Sequence, residues 1–411
     1  MTLFIEELLI GSMTYKSTTP NVTYDDLEYN FNFEVILAGD NRPTRVATET
    51  LKVDRDIEYT FLVSGNIAAP TITVWSKPER TFNSADTFFE AQFAHADASL
   101  GAVDVYFLDP ATAPALGLEE ATLNFGEISP LSDYTEGDFI LTITTAGDPS
   151  DVLFVTDVLN PAILNSFIIG IFEGDANDLS PVAVRSFSSN GFESSIEDIS
   201  TTATIRFFHA APGLVTSDIY TDEDLMSQIL ANHAERDVTG DIPLDPASIP
   251  LTYTEAGNVG NILLESTVNI VQGNHYHFYV VGPIPNGTGD PLADLRVFFQ
   301  VPDRRPVETV AKFRLAYAST NHEITDFYIV PTGGDITELP PLFVNVGVGT
   351  QPLPANLIEG DFEMYLTVAD DPTMVIAGPI PLTTALGDVI EYVIYDNADP
   401  ATADIVLIPD P

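Results

Sequence analysis

The sequence predicts an all-β protein built from tandem, immunoglobulin-like antiparallel β-sandwich domains. A motif recurs at intervals of about one domain, apolar residues alternate with polar ones in many short runs, and Gly, Pro, Asn and Asp bound those runs. The chain has 411 residues, 45% of them apolar. It is therefore too long for one ordinary domain and apolar enough to form several packed cores.

The recurring motif is an apolar run that ends in His-Ala or Tyr-Ala and is followed by a polar turn and Asp-x-Tyr. Its three copies read AQFAHADASLGAVDVY from Ala91, IRFFHAAPGLVTSDIY from Ile205 and FRLAYASTNHEITDFY from Phe313. The interval from each copy to the next is nearly constant. This period is too long for a solenoid or propeller repeat and matches one β-sandwich domain of about 100 residues.

The same order of further strands follows each motif: a strand that ends in an Ala-Gly or Ala-Asp turn, a second strand, a polar loop and a last strand. The predicted strands are 139–145, 166–172 and 182–187 in the first full copy, 251–255, 275–281 and 295–301 in the second, and 362–368, 389–395 and 404–408 in the third. One segment, 222–235, has apolar residues at helical spacing and predicts a short helix in a loop.

The segment 1–80 fits this repeat only from its second strand onward. Its Ala38-Gly39 turn precedes the Ala146-Gly147 turn by one repeat interval, which places the corresponding first strand before residue 1. We therefore predict an incomplete sandwich over 1–80 that lacks its first strand, and complete sandwiches over 88–190, 202–303 and 310–411. Either the chain is part of a longer protein, or the first sandwich has an open edge that can accept a strand from another subunit.

The chain carries 61 acidic and 15 basic side chains, for a formal charge of −46, and no Cys. This charge disfavours nucleic acid and anionic membrane surfaces as partners and favours cations. The lack of Cys excludes disulfides, thiolate metal sites and thiol nucleophiles. No apolar run is long enough for a transmembrane helix, so we expect no membrane-spanning segment in this chain.

The His and Asp of the motif are separated by the same interval in each of the first two copies, which first suggests a catalytic dyad. The third copy has Tyr317 in place of His, and Tyr cannot act as a base near neutral pH. We therefore predict a buried hydrogen bond that closes the loop, with the Asp as one possible acceptor. The residues of this structural motif are His95, Asp104 and Tyr106, then His209, Asp218 and Tyr220, then Tyr317, Asp326 and Tyr328.

Acidic loops before the last strands suggest calcium, because calcium prefers clustered oxygen ligands. The candidate ligands are Asp175, Asn177, Asp178, Asp290, Asp396 and Asp399. The loops lack the EF-hand pattern, and solvated hairpin loops are the alternative. His275 and His277 share one face of a strand and are expected to be a surface pair, with a metal site as the alternative. Trp75 is expected in a core or at a domain junction.

No other pattern indicates chemistry. A Gly-x-Ser-x-Gly elbow is absent, so nothing marks a serine nucleophile. Paired carboxylates for glycoside cleavage carry no information here, because 61 acidic residues form some pairs by chance. We expect no enzyme and no cofactor apart from calcium.

The motif resembles the opening of a bacterial and archaeal surface-protein family known as domain of unknown function 4397, approximately Arg-x-x-His-Ala-Ser-Pro and then Asp-Val-Tyr. The matching residues are Arg206, His209, Ala210, Pro212, Asp218 and Tyr220, then His95, Ala96, Asp104, Val105 and Tyr106, and then Arg314, Ala318, Ser319, Asp326 and Tyr328. Gln92 replaces the Arg in the first copy, and Tyr317 replaces the His in the third. The resemblance implies tandem immunoglobulin-like sandwiches exported to the periplasm or cell surface, with the export signal upstream of Met1, and it implies no activity.

These observations predict a non-enzymatic extracytoplasmic protein that acts as a structural or binding array on a cell surface or in a secreted matrix. Its partners would be an extracellular polysaccharide or a surface protein. Two alternatives remain open: a carbohydrate-directed enzyme or accessory module, and a calcium-dependent surface-assembly protein.

Overall fold

The computed structural model describes residues 1–36, 42–189, 191–282, 295–397, 399 and 401–409. These residues form 31 β-strands and no helix, so the predicted all-β fold is confirmed. Among them, no helix could cross a membrane. The chain folds as two compact units, Met1–Thr201 and Thr202–Pro411.

The first half of unit 1, here called module 1, has one four-stranded and one two-stranded sheet. Its strands are β1 (Thr2–Ile5), β2 (Leu8–Ser12), β3 (Glu28–Val35), β4 (Thr44–Lys52), β5 (Ile57–Asn66) and β6 (Ala69–Pro78). The sheet orders are β2-β1-β3-β4 and β5-β6. Leu3, Ile5, Phe31 and Phe33 form a small buried core.

The second half of unit 1, module 2, is a sandwich of two larger sheets. Its strands are β7 (Phe88–His95), β8 (Val103–Leu108), β9 (Ala121–Leu123), β10 (Ser132–Thr135), β11 (Ile140–Thr145), β12 (Val152–Val155), β13 (Ser166–Glu173), β14 (Val182–Ser188) and β15 (Glu193–Ile196). The sheet orders are β10-β7-β13-β14-β15 and β12-β11-β8-β9. Alternate residues of both sheets, such as Phe93, Val105 and Ile171, meet in one core, as period-two patterning requires.

Unit 2 contains modules 3 and 4. Module 3 has β16 (Ala203–Ala210), β17 (Ser217–Tyr220), β18 (Gln228–His233), β19 (Ile242–Leu244), β20 (Ser248–Glu255), β21 (Asn258–Asn269), β22 (His275–Val281) and β23 (Arg296–Gln300). Module 4 has β24 (Ala311–Tyr317), β25 (Thr325–Pro331), β26 (Phe343–Val346), β27 (Ala355–Leu357), β28 (Gly360–Val368), β29 (Asp371–Thr384), β30 (Val389–Asp396) and β31 (Ala403–Ile408). The sheet orders are β19-β16-β22-β23 and β18-β17-β20-β21, then β27-β24-β30-β31 and β26-β25-β28-β29.

The strand order is therefore the same in modules 2, 3 and 4, apart from the extra β15. One feature differs from the predicted antiparallel sandwich: the first strand of each of these modules lies parallel to its seventh, in the pairs β7 and β13, β16 and β22, and β24 and β30. The two strands belong to opposite ends of the module sequence, so no hairpin forces them to be antiparallel.

The two modules of unit 2 pack through a core of their own. Phe208, Tyr279 and Val281 of module 3 lie with Val393 and Tyr395 of module 4 in one buried cluster. These side chains alternate with the residues of the internal cores, so β22 is buried on both faces. A strand that is buried on both faces is usually a continuous apolar run, and His275–Val281 departs from this pattern at its two His residues.

The predicted helix over 222–235 is wrong. This segment forms a turn followed by β18, and the Asp222 carboxylate accepts the backbone N–H groups of Met226 and Ser227 at 2.9 and 3.0 Å. The helical spacing of Leu225, Ile229 and Leu230 is therefore a coincidence. Leu225 has a φ of 55°, which ends any right-handed helical turn at that position.

Candidate functional site

The motif His and Tyr side chains lie at the ends of the first strands, and those of modules 2 and 4 bond to the loop that follows. In module 3 neither ring nitrogen of His209 has a hydrogen-bond partner among the described residues, so the predicted bond is not formed in that copy. In module 2 the Nε2 atom of His95 is 2.9 Å from the Gly101 carbonyl oxygen. In module 4 the Tyr317 hydroxyl donates to the His322 carbonyl oxygen at 3.0 Å. Both side chains are fully buried. His95 and Tyr317 thus have the same structural role in modules 2 and 4, because each side chain donates one hydrogen bond to a carbonyl oxygen of the following loop.

The motif Asp was a possible acceptor for this bond, and it accepts from other groups instead. Asp104 accepts the Thr122 hydroxyl at 2.5 Å and the Gly147 N–H at 2.7 Å. Asp218 accepts the N–H groups of Asn232 at 2.8 Å and Gly257 at 2.9 Å.

Module 4 repeats the arrangement of Asp218 with two backbone donors. Asp326 accepts the N–H groups of Asn345 and Asp370, each at 2.9 Å. The turn donor has a positive φ in every copy, at 80° for Gly147, 73° for Gly257 and 62° for Asp370. Each motif Asp therefore anchors the turn that joins the fifth and sixth strands of its module. The Ala-Gly and Ala-Asp turns are visible in the sequence, but the pattern did not identify them as the hydrogen-bond donors to the motif Asp.

The motif Tyr lies two residues after the Asp on the same face of its strand. Tyr106, Tyr220 and Tyr328 are all buried, at 0%, 6% and 3% exposure. Burial raises the pKa of Tyr106 and Tyr328 above the ordinary value. A phenol whose pKa is raised is ionised even less near neutral pH than an ordinary Tyr, so these positions are suited to packing.

Module 3 differs from modules 2 and 4 because a second buried imidazole lies beside its motif His. The rings of His209 and His233 have centroids 5.5 Å apart, and both residues are at most 2% exposed. Burial, together with the neighbouring imidazole of His209, lowers the pKa of His233 to about 4. In module 2 the ring beside His95 is Phe125. Among the described residues, no group of three or more metal-ligating side chains includes these two imidazoles.

The acidic loop of module 2 already holds a cation from the protein itself. The buried ammonium group of Lys16 contacts Asp178 and lies 3.1 Å from Asp175. The Asp175 carboxylate also accepts the Asn177 N–H at 2.8 Å, which forms a tight Asx turn. Lys16 thus occupies the position that the calcium hypothesis assigned to a metal.

The other predicted calcium ligands do not share one loop geometry. Asp396 is fully buried and accepts from the Thr320 N–H at 2.6 Å and from the hydroxyls of Ser319 and Thr320. Asp399 accepts the Ala401 N–H at 3.0 Å. Asp290 and the Ala38-Gly39 turn lie outside the described residues. Asp396 therefore holds the loop after β24 in place, and calcium binding by these loops stays untested.

His275 and His277 are not the surface pair that the sequence suggested. Both are buried, at 8% and 4% exposure, because the second face of β22 packs within unit 2. The Nδ1 atom of His275 lies 2.6 Å from the Thr204 hydroxyl. His277 lies 3.1 Å from Glu391. Polar side chains on this face serve the junction between modules 3 and 4.

Glu391 is the centre of that junction. Its carboxylate is 2% exposed and accepts from Arg314 at 2.6 Å, the Tyr279 hydroxyl at 2.6 Å and Gln300 at 2.5 Å. Burial alone would raise the pKa of Glu391, but the hydrogen bonds and charges of His277, Arg314 and Tyr279 lower it to about 2. A buried charge with this many partners is stabilised in one geometry. The loss of any one partner would leave part of the charge without compensation.

Unit 1 has a comparable junction around Glu90. This carboxylate is 0% exposed and lies 3.1 Å from both Lys77 and Arg80. Burial favours a higher pKa for Glu90, yet the hydrogen bonds from Ser166, Arg80 and Lys77 bring it below the ordinary value. The segments 76–87 and 302–310 connect consecutive modules and take part in ordered polar contacts, through Lys77 and Arg80 in the first segment and Asp303 and Arg304 in the second.

A cleft of about 460 Å³ lies in unit 1 where β6 approaches the β9 region. Trp75 lines it and donates its indole N–H to the Gly126 carbonyl oxygen at 3.1 Å. Thr73, Glu120 and Glu127 also line the cleft. A partly exposed indole face beside carboxylate and hydroxyl oxygens can pack against an apolar ligand face and accept hydrogen bonds from its polar groups.

Comparisons with known proteins do not assign a function to these sites. No family model matches the chain, and no curated protein matches it. Among solved structures, the chain is similar to the Bacillus anthracis TIE protein with 9% sequence identity, over 96% of this chain and 74% of that chain, at a TM-score of 0.17. A similarity this distant carries no argument about fold or function.

Proposed function

We propose that this chain is a non-enzymatic, extracytoplasmic protein that acts as a structural or binding array on a cell surface or in a secreted matrix. The observation that carries the proposal is the use of the repeated polar residues. His95, Tyr317 and the three motif Asp residues are buried and bonded to loop backbone or to neighbouring strands. Side chains committed to holding loops are not available to a substrate.

The buried junctions support the structural part of this proposal. Apolar side chains and the Glu391 cluster join modules 3 and 4, and the Glu90 cluster joins modules 1 and 2. Modules connected in this way form stiff segments, as a spacer or display array needs. The excess negative charge and the resemblance to surface proteins support an extracytoplasmic place.

Protease treatment of intact cells tests the location. An antibody against the chain should detect loss of the protein when a non-permeant protease is added to whole cells, or its recovery in the medium or periplasmic extract. A cytoplasmic control protein should stay intact in the same samples. Recovery of the chain in the cytoplasm, untouched until the cells are lysed, would contradict the proposal.

The Trp75 cleft favours carbohydrate binding as a second candidate function. Sugars present a flat C–H face and many hydroxyl groups, which suit an indole beside Glu120, Glu127 and Thr73. With a formal charge of −46, the chain would select neutral or cationic glycans over acidic ones. This function requires binding at the cleft and no cleavage.

Calorimetric titration tests this candidate with cellohexaose, maltohexaose and chitohexaose as probes. Binding of one probe should weaken at least tenfold in Trp75→Ala and be largely retained in Trp75→Phe, which keeps an aromatic face. Glu127→Gln, which keeps the shape of the side chain, should weaken binding less than Trp75→Ala. Equal heats for the native chain and Trp75→Ala with all three probes would exclude the cleft, and release of shorter sugars would favour the carbohydrate-directed enzyme instead.

A further inference from the structure

Module 1 has an unpaired sheet edge where the other modules have a strand. In modules 2, 3 and 4 the seventh strand lies between the first strand and the last, as β13 lies between β7 and β14. In module 1 the corresponding strand is β5, and it pairs with β6 along its whole length. Among the described residues of unit 1, no strand pairs with the other edge of β5. Backbone N–H and C=O groups along that edge are left without sheet partners.

The same edge leaves the module 1 core incomplete. No residue of β5 is fully buried, whereas every residue of β22 is. Phe61 and Val63 pack from β5 against Phe31 and Phe33, yet they stay only partly buried. Adding a strand beside β5 would bury these two side chains, which is a gain that the hydrophobic effect favours.

β5 also lacks the devices with which proteins usually protect a sheet edge. Its sequence, IEYTFLVSGN, contains no Pro and no Lys. Its register with β6 runs regularly from Ile57 to Asn66 without a bulge. A long, regular edge with alternating apolar residues is a template for another strand.

We propose that the free edge of β5 binds an extended polypeptide segment, parallel to β5, that carries the pattern of the first strands of modules 2 to 4. That pattern places apolar side chains at alternate positions toward the core, as Phe313 and Leu315 do in β24. The first strands β7, β16 and β24 are all paired inside their own modules, so a folded second copy has none of them to donate. The occupant is therefore an extended segment of this chemistry other than β7, β16 and β24.

Charge favours a segment with basic side chains. The Glu58 carboxylate of β5 lies 3.1 Å from the Lys77 ammonium group, and the Glu58 side chain remains 28% exposed. The strand β24 carries Lys312 and Arg314, and Arg314 pairs across its parallel ladder with Glu391. A segment with the sequence of β24 would bring basic side chains toward the Glu58 carboxylate, whereas the sequence of β7 would bring the like charge of Glu90.

The test adds a blocked peptide of sequence AKFRLAY, identical to β24, to the full chain. Two signals report binding: slower hydrogen exchange of β5 amides, and the fluorescence of Trp75, which pairs with Thr60 of β5. Trp75 is the only Trp in the chain, so its emission is unambiguous. Two further versions of the peptide carry N-methyl groups on alternate residues, one on each edge of the extended strand. A scrambled peptide with the same composition controls for the attraction of a basic peptide to an acidic protein.

We expect the native peptide to slow exchange of β5 amides at least tenfold and to shift the Trp75 emission. One N-methylated version should lose both effects and the other should keep them, because alternate N–H groups of a strand face opposite edges. Equal binding of both N-methylated versions, or of the scrambled peptide, would overturn the proposal. Protection of β5 that rises with protein concentration in the absence of peptide would also overturn it, since a second copy would then fill the edge.

Discussion

Glu391 provides the most quantitative prediction. Its pKa is lowered from 4.5 to about 2, so its ionised form is favoured in the folded state. A group of this kind stabilises the fold above its unfolded pKa and loses that contribution as pH falls toward the folded value. A difference of about 2.5 units corresponds to about 3 kcal/mol of unfolding free energy at neutral pH, lost between about pH 4.5 and pH 2.

Replacing Glu391 with Gln should remove this contribution. The amide keeps the size of the side chain but leaves Arg314, which is 2.6 Å away in the native chain, without its buried counter-charge. We expect Glu391→Gln to lower the unfolding free energy of unit 2 by about 3 kcal/mol at pH 7 and by much less at pH 2.5. The exposed Glu265→Gln is the matched control, because it removes the same charge from the same unit.

Calorimetric melts of both variants across pH 2.5 to 7 provide the measurement, with hydrogen exchange of 275–281 and 389–396 to locate the effect. The difference between native chain and Glu391→Gln should shrink as pH falls below about 4.5. The Glu265→Gln profile should follow that of the native chain. Parallel profiles for the two variants would refute the view that Glu391 stabilises the junction as a buried anion.

Three further predictions concern individual side chains. Asp218→Asn should lower the unfolding free energy by about 2 kcal/mol, because the Asn side chain has one acceptor oxygen for the two backbone N–H donors that Asp218 satisfies. The exposed Asp245→Asn is the control and should have no such effect, and equal chemical-denaturation curves for the two variants would contradict the anchoring role. His233→Leu, which copies Leu123, the residue that pairs with Val103 in module 2 as His233 pairs with Ser217, should leave stability at pH 7.5 nearly unchanged and raise it by about 3 kcal/mol near pH 4. The reason is that the imidazole, whose pKa is about 4 in the fold, is protonated first in the unfolded chain as pH falls below 6.5. A variant with the acid sensitivity of the native chain would exclude this cause. Lys16→Met should lower the melting temperature of unit 1 by about 3 to 6 °C, because it removes the ammonium group that lies between Asp175 and Asp178. Millimolar calcium should restore part of that loss in the variant only, and magnesium is the control. The same calcium response in the native chain would show that Lys16 does not occupy the cation position beside these two carboxylates.

The positions of the fifth, seventh and eighth strands of modules 2 to 4 could be predicted because they depend on local patterns, whereas the third, fourth and sixth strands, such as β9, β10 and β12, were not predicted. Alternation of apolar residues and the Ala-Gly or Ala-Asp turns mark β11, β20 and β28, and the nearly constant interval between motifs relates the three copies. The parallel pairing of first and seventh strands left no local trace, because it joins residues at opposite ends of a module, such as Ala91 and Phe167. Sequence patterns of period two give the face of a side chain and not the identity of the neighbouring strand.

The polar residues were harder to interpret because burial on a second face is not visible in one strand. His275 and His277 have the spacing of a surface pair or a metal site, and only the packing of β22 on both sides makes them buried. Lys16 was not recognised as a partner of Asp175 because the two residues belong to different modules and lie far apart in the chain. Contacts across modules therefore decided most of the roles that sequence reasoning left open.

The repeated residues and the unrepeated ones have different physical origins in this chain. Asp104, Asp218 and Asp326 recur because each copy has the same turn to hold, and that turn exists in a module taken alone. Glu90 and Glu391 do not occupy equivalent strands, since Glu90 lies in a first strand and Glu391 in a seventh. Both nevertheless provide a buried anion where two modules meet. Selection on a module would preserve the first kind of residue, whereas only the order of modules along the chain can preserve the second. Exchanging modules 2 and 4 should therefore keep each internal turn and disrupt both junctions.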